Sequence, residues 1–139
     1  MMKMKLTFTV PGPPVPKARA RVVSRVEDGE TKTRGVTPTK TRAYEKHVGV
    51  IAHATRVNAY QSRALVEPWP YASKLTRFGL LVKVYYSGAG GDGDNYVKSI
   101  ADACNGVLWV DDRQIDDGRW IKAKVERGKE RVEVETWVI

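Results

Sequence analysis

The chain has 139 residues, of which 42% are hydrophobic and 29% charged, with four Trp, six Tyr and a formal net charge of +8. That length suits one domain, expected over residues 1–139, with a sizeable core, and the composition is too apolar and aromatic for a disordered chain. The only cysteine, Cys104, excludes an intrachain disulfide, and no Cys/His set has zinc-ligand spacing, so a reducing cytoplasm is the expected compartment.

The opening MMKMKLTFTV carries lysines, but threonines break its apolar run and prolines follow, so neither a signal peptide nor a membrane span is expected. Within it, Lys5 to Val10 alternates polar and apolar residues as a half-buried strand does. PGPPVP then stops regular structure. Residues 17–38, rich in Lys, Arg, Thr and Gly, read as a flexible basic loop or mobile hairpin. A helix is predicted from Thr39 or Thr41 to about Tyr60, with Tyr44, Val48, Ile51, His53 and Val57 near helical spacing.

ALVEPWPYASK interrupts with two prolines, and RFGLLVKVYYS is a strand that ends in the glycine-rich GAGGDG. A second helix fits Asn95 to about Asn105, and GVLWV reads as a buried strand that delivers DDRQIDD to the surface. Asp116 and Asp117 read as a solvated turn. RWIKAKVE and ERVEVETWVI alternate around RGKE, which predicts a C-terminal β-hairpin. The order βαβαββ describes an α/β domain with a mixed β-sheet and two helices packed against it.

Charge is segregated along this order. Residues 1–87 hold sixteen Lys/Arg against five Asp/Glu, a balance of +11, whereas residues 88–117 hold two against seven aspartates, a balance of −5. A basic surface attracts phosphate, and an acidic island within it suits a cation site; solvation alone also accounts for scattered basic residues.

The island begins with Asp92 and Asp94 around one glycine, a spacing that puts both side chains on one side of an extended backbone, while Gly91 and Gly93 leave room for close approach. Lys98 follows Asp94 by one helical turn, within reach of a scissile phosphate. Asp111 and Asp112 form the second pair. Mg²⁺ commonly takes one or two protein carboxylates and completes its shell with water and phosphate, so Asp92, Asp94 and one of the second pair suffice.

Structural readings compete. Asp94 or Asn95 as an N-cap, with Asp92 in an Asx-turn, explains DGDN taken alone, and Asp111 and Asp112 suit a turn. Lys98 on a helix surface need only be solvated, and Asp102 need only pair with a neighbour. A calcium loop fails, because Val97 stands where its glycine belongs. His47 and His53, six residues apart, share no tight helical face and read as structural or surface residues. No Ser/His/Asp arrangement or GK[ST] phosphate loop is present.

DGDNYVKSIADACNGVLWVDDRQI, Asp92 to Ile115, resembles the signature of RusA-type Holliday junction resolvases: DxDN, a lysine one turn later, an Asp on the same helix, then an aromatic residue followed by DD.Q. VPGPPVPKARAR and TPTKTRAYE are similar to phage and prophage members, whereas residues 18–36 and 61–77 match no motif. The resemblance implies a RusA-like fold and a homodimeric endonuclease that cuts four-way DNA junctions with Mg²⁺, for which Mn²⁺ is the natural substitute, leaving a 5′-phosphate and a 3′-hydroxyl. It assigns Asp92, Asp94 and Asp112 to the catalytic metal, with Asp111 as the alternative ligand within its pair and Lys98 as the catalytic lysine. Asn95, Asp102 and Gln114 match supporting positions, and Lys122 a basic position that contacts DNA. SGAGG is a departure, neutral where relatives often carry basic residues. Lys17, Arg19, Arg21, Lys40 and Arg42 are expected to neutralise junction backbone. Two alternatives stay open: a broader branched-DNA or flap nuclease, and a non-catalytic DNA-structure-binding module whose acids only form turns.

Overall fold

A computed structural model describes residues 4–18, 21–36 and 38–139. In chain order the elements are β1 (Lys5–Pro11), β2 (Arg21–Glu27), β3 (Glu30–Val36), α1 (Thr39–Gln61), β4 (Phe78–Tyr86), α2 (Gly93–Ala103), a 3₁₀ turn (Asp112–Gln114), β5 (Ile115–Lys124) and β6 (Arg131–Val138).

Alternation builds the sheet. Leu6, Phe8 and Val10 of β1 and Val132, Val134 and Thr136 of β6 are buried while their neighbours are not, so one face is covered by the helices and the other is open. The sheet order is β1-β6-β4-β5, with β6 antiparallel to both β1 and β4, and β5 parallel to β4. The parallel pair needs a crossover, and α2 supplies it. On α1, Thr41, Tyr44, Val48 and Ala52 form the buried stripe at helical spacing. They meet Ile100 and Ala101 of α2, Cys104 at its C-terminal cap and the sheet's Leu80, Val82 and Val84 in one core, which also takes in Trp69, Leu108 and Trp109. The architecture is therefore α/β, a mixed four-stranded sheet with two helices on one face. Among the described residues no helix is long and apolar enough to cross a membrane. Burial pushes the Cys104 thiol up to about 12, so at neutral pH it is a packing group rather than a nucleophile.

Several expectations are corrected. The two C-terminal strands form, but not as a hairpin, because β4 lies between them and pairs with both. Their alternation is the same in either arrangement; the apolar β4 needs a partner on each edge and takes them. Within residues 17–38 the hairpin alternative is the one found: β2 and β3 pair around Asp28 and Gly29, both at positive φ (54° and 76°), the turn that Asp-Gly favours. GVLWV is not a strand: Gly106 donates to the Trp109 carbonyl at 2.7 Å and Val107 and Leu108 to that of Cys104, so the segment closes into turns with a single bridge, Asn105 to Trp109. Asp116 and Asp117 are not in a turn, since β5 begins at Ile115. Each is instead held by an arginine, Asp116 by Arg77 and Asp117 by Arg119.

Candidate active site

The first acidic pair is set by the start of α2. The helix begins at Gly93, two residues before the expected Asn95, with Asp92 in the N-cap position and its carbonyl accepting from the Asn95 N–H at 3.1 Å and the Tyr96 N–H at 3.4 Å. Asp92 is extended but Asp94 is helical, so the two are not neighbours on a strand; they bracket the helix start. The Asp92 side chain makes no capping hydrogen bond, and Asp94 lies exposed in the first turn, so neither carboxylate serves as the cap.

The glycines around them are an internal requirement, because side chains from the sheet occupy the space a Cβ would take. A Cβ on Gly93 would stand 2.0 Å from the Trp120 indole, and one on Gly90 3.1 Å from the Tyr86 ring, so the loop lies on two aromatic rings. Lys122 Nζ stands 5.7 Å from the Trp120 ring and 5.8 Å from that of Tyr86, and donates to the Gly91 carbonyl at 2.8 Å. The Tyr96 hydroxyl accepts from the Gly91 N–H at 2.9 Å. Trp120 and Lys122 lie opposite Val82 and Val84 of β4, and so on the sheet face that carries α2. The loop is thereby held at both backbone groups of Gly91.

Lys98 and Asp102 continue the helix face from Asp94 in steps of one turn. Lys98 Nζ reaches Asp102 Oδ2 at 3.8 Å and remains more than half exposed. Asp102 is more fully engaged, because Lys17 Nζ also approaches Oδ2, at 3.3 Å, while holding Glu45 Oε1 of α1 at 2.5 Å. With its own N–H donating to the Asn95 carbonyl at 2.9 Å, Lys17 straps the segment after β1 to both helices. Burial is the largest single influence and works to lower its pKa, but the hydrogen bonds and charges of Glu45 and Asp102 together outweigh it and raise it. The structure therefore places Lys17 in an internal brace.

The second pair divides. Asp111 caps the 3₁₀ turn, accepting from the Arg113 N–H at 3.0 Å and from the Arg113 side chain at 3.3 Å. Those bonds, the Arg113 N–H first, then a hydrogen bond with Asp112, hold its carboxyl below the usual range. Asp112 goes the other way. Partial burial raises its pKa first, then the hydrogen bond to Asp111 and the charges of Asp102 and Asp111, with Lys98 alone opposing. Asp112 thus feels Asp102 and Lys98 of α2, which puts the turn and the helix in one electrostatic site.

Gln114 fixes that turn. Buried to 5% exposure, it accepts through Oε1 from the N–H groups of Val110 and Asp111 and donates through Nε2 to the carbonyls of Ser73 and Thr76. The otherwise motif-free 61–77 segment thus supplies the backbone acceptors that hold the aspartate turn, and Trp69 adds a bond from its indole N–H to the Leu108 carbonyl at 2.7 Å. Sequence reading missed Trp120, Tyr86 and Tyr96 as site-forming residues. Their signal was the aromatic-next-to-glycine complementarity, which cannot be paired up without the register.

Of the remaining expected residues, Lys40 and Arg42 are exposed near the start of α1, and Asn95 offers its backbone carbonyl to Lys17. Arg19 and the side chain of Arg21 lie outside the described residues. His47 and His53 are both exposed on α1.

Among the described residues no three His, Cys, Asp or Glu side chains stand close enough to form a metal cluster by themselves. The donor set still suits a hard divalent ion: among the described residues neither Asp92 nor Asp94 has an ion-pair partner, and Asp112 is crowded by negative charge that a cation would relieve. Such an ion accepts one or two carboxylates and fills its shell from water and phosphate.

The family model described as "Endodeoxyribonuclease RusA" matches residues 11–136 of the chain. No curated protein matches it.

Proposed function

The chain belongs to the RusA endodeoxyribonuclease family, and on that premise we propose that it is a Mg²⁺-dependent enzyme that resolves four-way DNA junctions by paired, symmetric phosphodiester hydrolysis. The observation that carries this reading is the division of labour among the acids: Asp111 caps its turn and Asp102 is held by Lys17, whereas among the described residues Asp92 and Asp94 have no ion-pair partner and Asp112 is set against the carboxylate of Asp111. These three would hold Mg²⁺, with Mn²⁺ as a substitute; the ion would neutralise phosphate charge and acidify water.

The chain's own groups do the rest. Lys98, exposed and only loosely tied to Asp102, is free to donate to a non-bridging phosphate oxygen and to balance the charge that develops there. Asp102 orients that ammonium from one turn away, and Lys17 keeps Asp102 in place. Gln114 and the bed of Tyr86, Trp120 and Lys122 hold the two acidic segments rigid, which limits the reorganisation needed when substrate arrives. The exposed Lys40 and Arg42 suit contacts to junction backbone, with the salt dependence such contacts bring. A homodimer would present two such sites to opposing strands.

Cleavage rates on a four-way junction, a replication-fork mimic and linear duplex of the same sequence, each with Mg²⁺, test the substrate class. Symmetric paired nicks in the junction, with little cutting of duplex, are expected. Equal rates on fork and junction would instead make the chain a general branched-DNA nuclease.

A further inference from the structure

Four tryptophans are unequally placed. Trp69 and Trp109 are in the core at 2% and 0% exposure, whereas Trp120 leaves 48% of its surface in solvent while packing against Gly93, the residue between the two acids of the first pair. A side chain serving only to seat that glycine has no need of a large ring left half in water. The Lys122 ammonium lies 5.7 Å from the same ring, so an aromatic surface and a cation stand together beside Asp92 and Asp94. That combination is what a single-stranded nucleic acid takes, one base face on the ring and its phosphate near the positive charge.

We propose that Trp120 is the stacking platform for one unpaired nucleobase next to the phosphate that the acidic loop receives. The inference rests on the nuclease reading above and adds the feature of the substrate that the site senses. In continuous duplex each base face is covered by its neighbours; at a branch point a base can leave the stack at small cost, and a ring already in place rewards that departure. Trp120 would therefore favour branched DNA without reading sequence. It would also replace, from β5, the contacts that the neutral SGAGG loop does not offer.

The test uses the full chain carrying Asp94→Asn to prevent cutting, with 2-aminopurine substituted in turn at the bases flanking the branch of a four-way junction. Binding is expected to quench the probe at one flanking position. Trp120→Leu, which retains an apolar contact for Gly93, should abolish the quenching and weaken junction binding by a factor on the order of 10, a larger loss than for linear duplex, while Trp120→Phe retains most of both quenching and junction binding. Unaltered quenching in Trp120→Leu, or no quenching at any position with binding intact, would overturn the proposal. So would a free protein whose Trp120 is shielded from acrylamide by a second copy. Failure of the nuclease reading is recognised separately: a chain that cuts no branched DNA, yet quenches 2-aminopurine in a single strand through Trp120, retains the stacking site and loses the enzyme. A Trp120→Leu protein without the Asp94 change that cuts junctions as fast as wild type at sub-saturating DNA keeps the enzyme and loses the platform.

Discussion

The two aspartate pairs have nearly the same sequence and opposite surroundings. Asp92 and Asp94 stand at the exposed start of α2, where the structural work is done by backbone and rings, and among the described residues neither carboxylate is held by an ion pair. Asp111 and Asp112 share a turn in which one carboxylate caps the 3₁₀ helix and the other is pushed toward its neutral form by burial and by its neighbours' charge. Adjacent acids therefore need not share a role. Capping engages Asp111, whereas burial and the charges of its neighbours raise the Asp112 pKa.

Asparagine at each position of the second pair should separate them most sharply. Asp112→Asn is expected to lower junction cleavage by about 10²–10³-fold, since an oxygen donor and its charge are lost from the site. The same change should stabilise the fold at neutral pH. Because the folded protein raises the Asp112 pKa, it favours the neutral carboxyl; that contribution is fully present below the unfolded pKa and is lost as pH rises through the folded one. Thermal melts at acid and neutral pH should therefore show the asparagine variant's advantage only at the higher pH. Asp111→Asn keeps a capping side chain, so its cleavage and Tm should stay close to wild type.

Gln114→Leu should cost about 1–3 kcal/mol in denaturant unfolding, because it removes the partners of the Val110 and Asp111 N–H groups and of the Ser73 and Thr76 carbonyls in a partly buried place. Cleavage should fall more than stability alone accounts for, as the turn that bears Asp112 loosens while Asp92 and Asp94 stay in place. The mirror change on the other side is Gly93→Ala. Its added methyl meets the Trp120 ring, and an overpacking cost of about 1–3 kcal/mol is expected. Gly93→Ala combined with Trp120→Leu should recover part of that loss, and equal losses in the single and double variants would contradict the ring-bed account.

The chemistry of this chain was more legible than its topology. Acidic and basic residues at fixed offsets are local information, so DGDN, Lys98 and the DD.Q run could be read directly. Strand partnership is not local: β5 and β6 alternate as a hairpin would, and only the competition for the edges of β4 separates them. The 61–77 segment had no readable motif because its contribution to the site is made by the main-chain carbonyls of Ser73 and Thr76, which any residues could supply. Lys17 read as a DNA contact because it begins a basic run, whereas its placement depends on Glu45 and Asp102, 28 and 85 residues away.

The most direct measurement is cleavage of a labelled four-way junction with and without Mg²⁺, using wild type and Asp94→Asn side by side, with binding followed in parallel. The account predicts paired symmetric nicks from wild type with metal alone, and an asparagine variant that binds the junction without cutting it. Binding by both proteins with no cleavage by either, in Mg²⁺ or Mn²⁺, would contradict it and leave the acids as structural groups of a DNA-binding module.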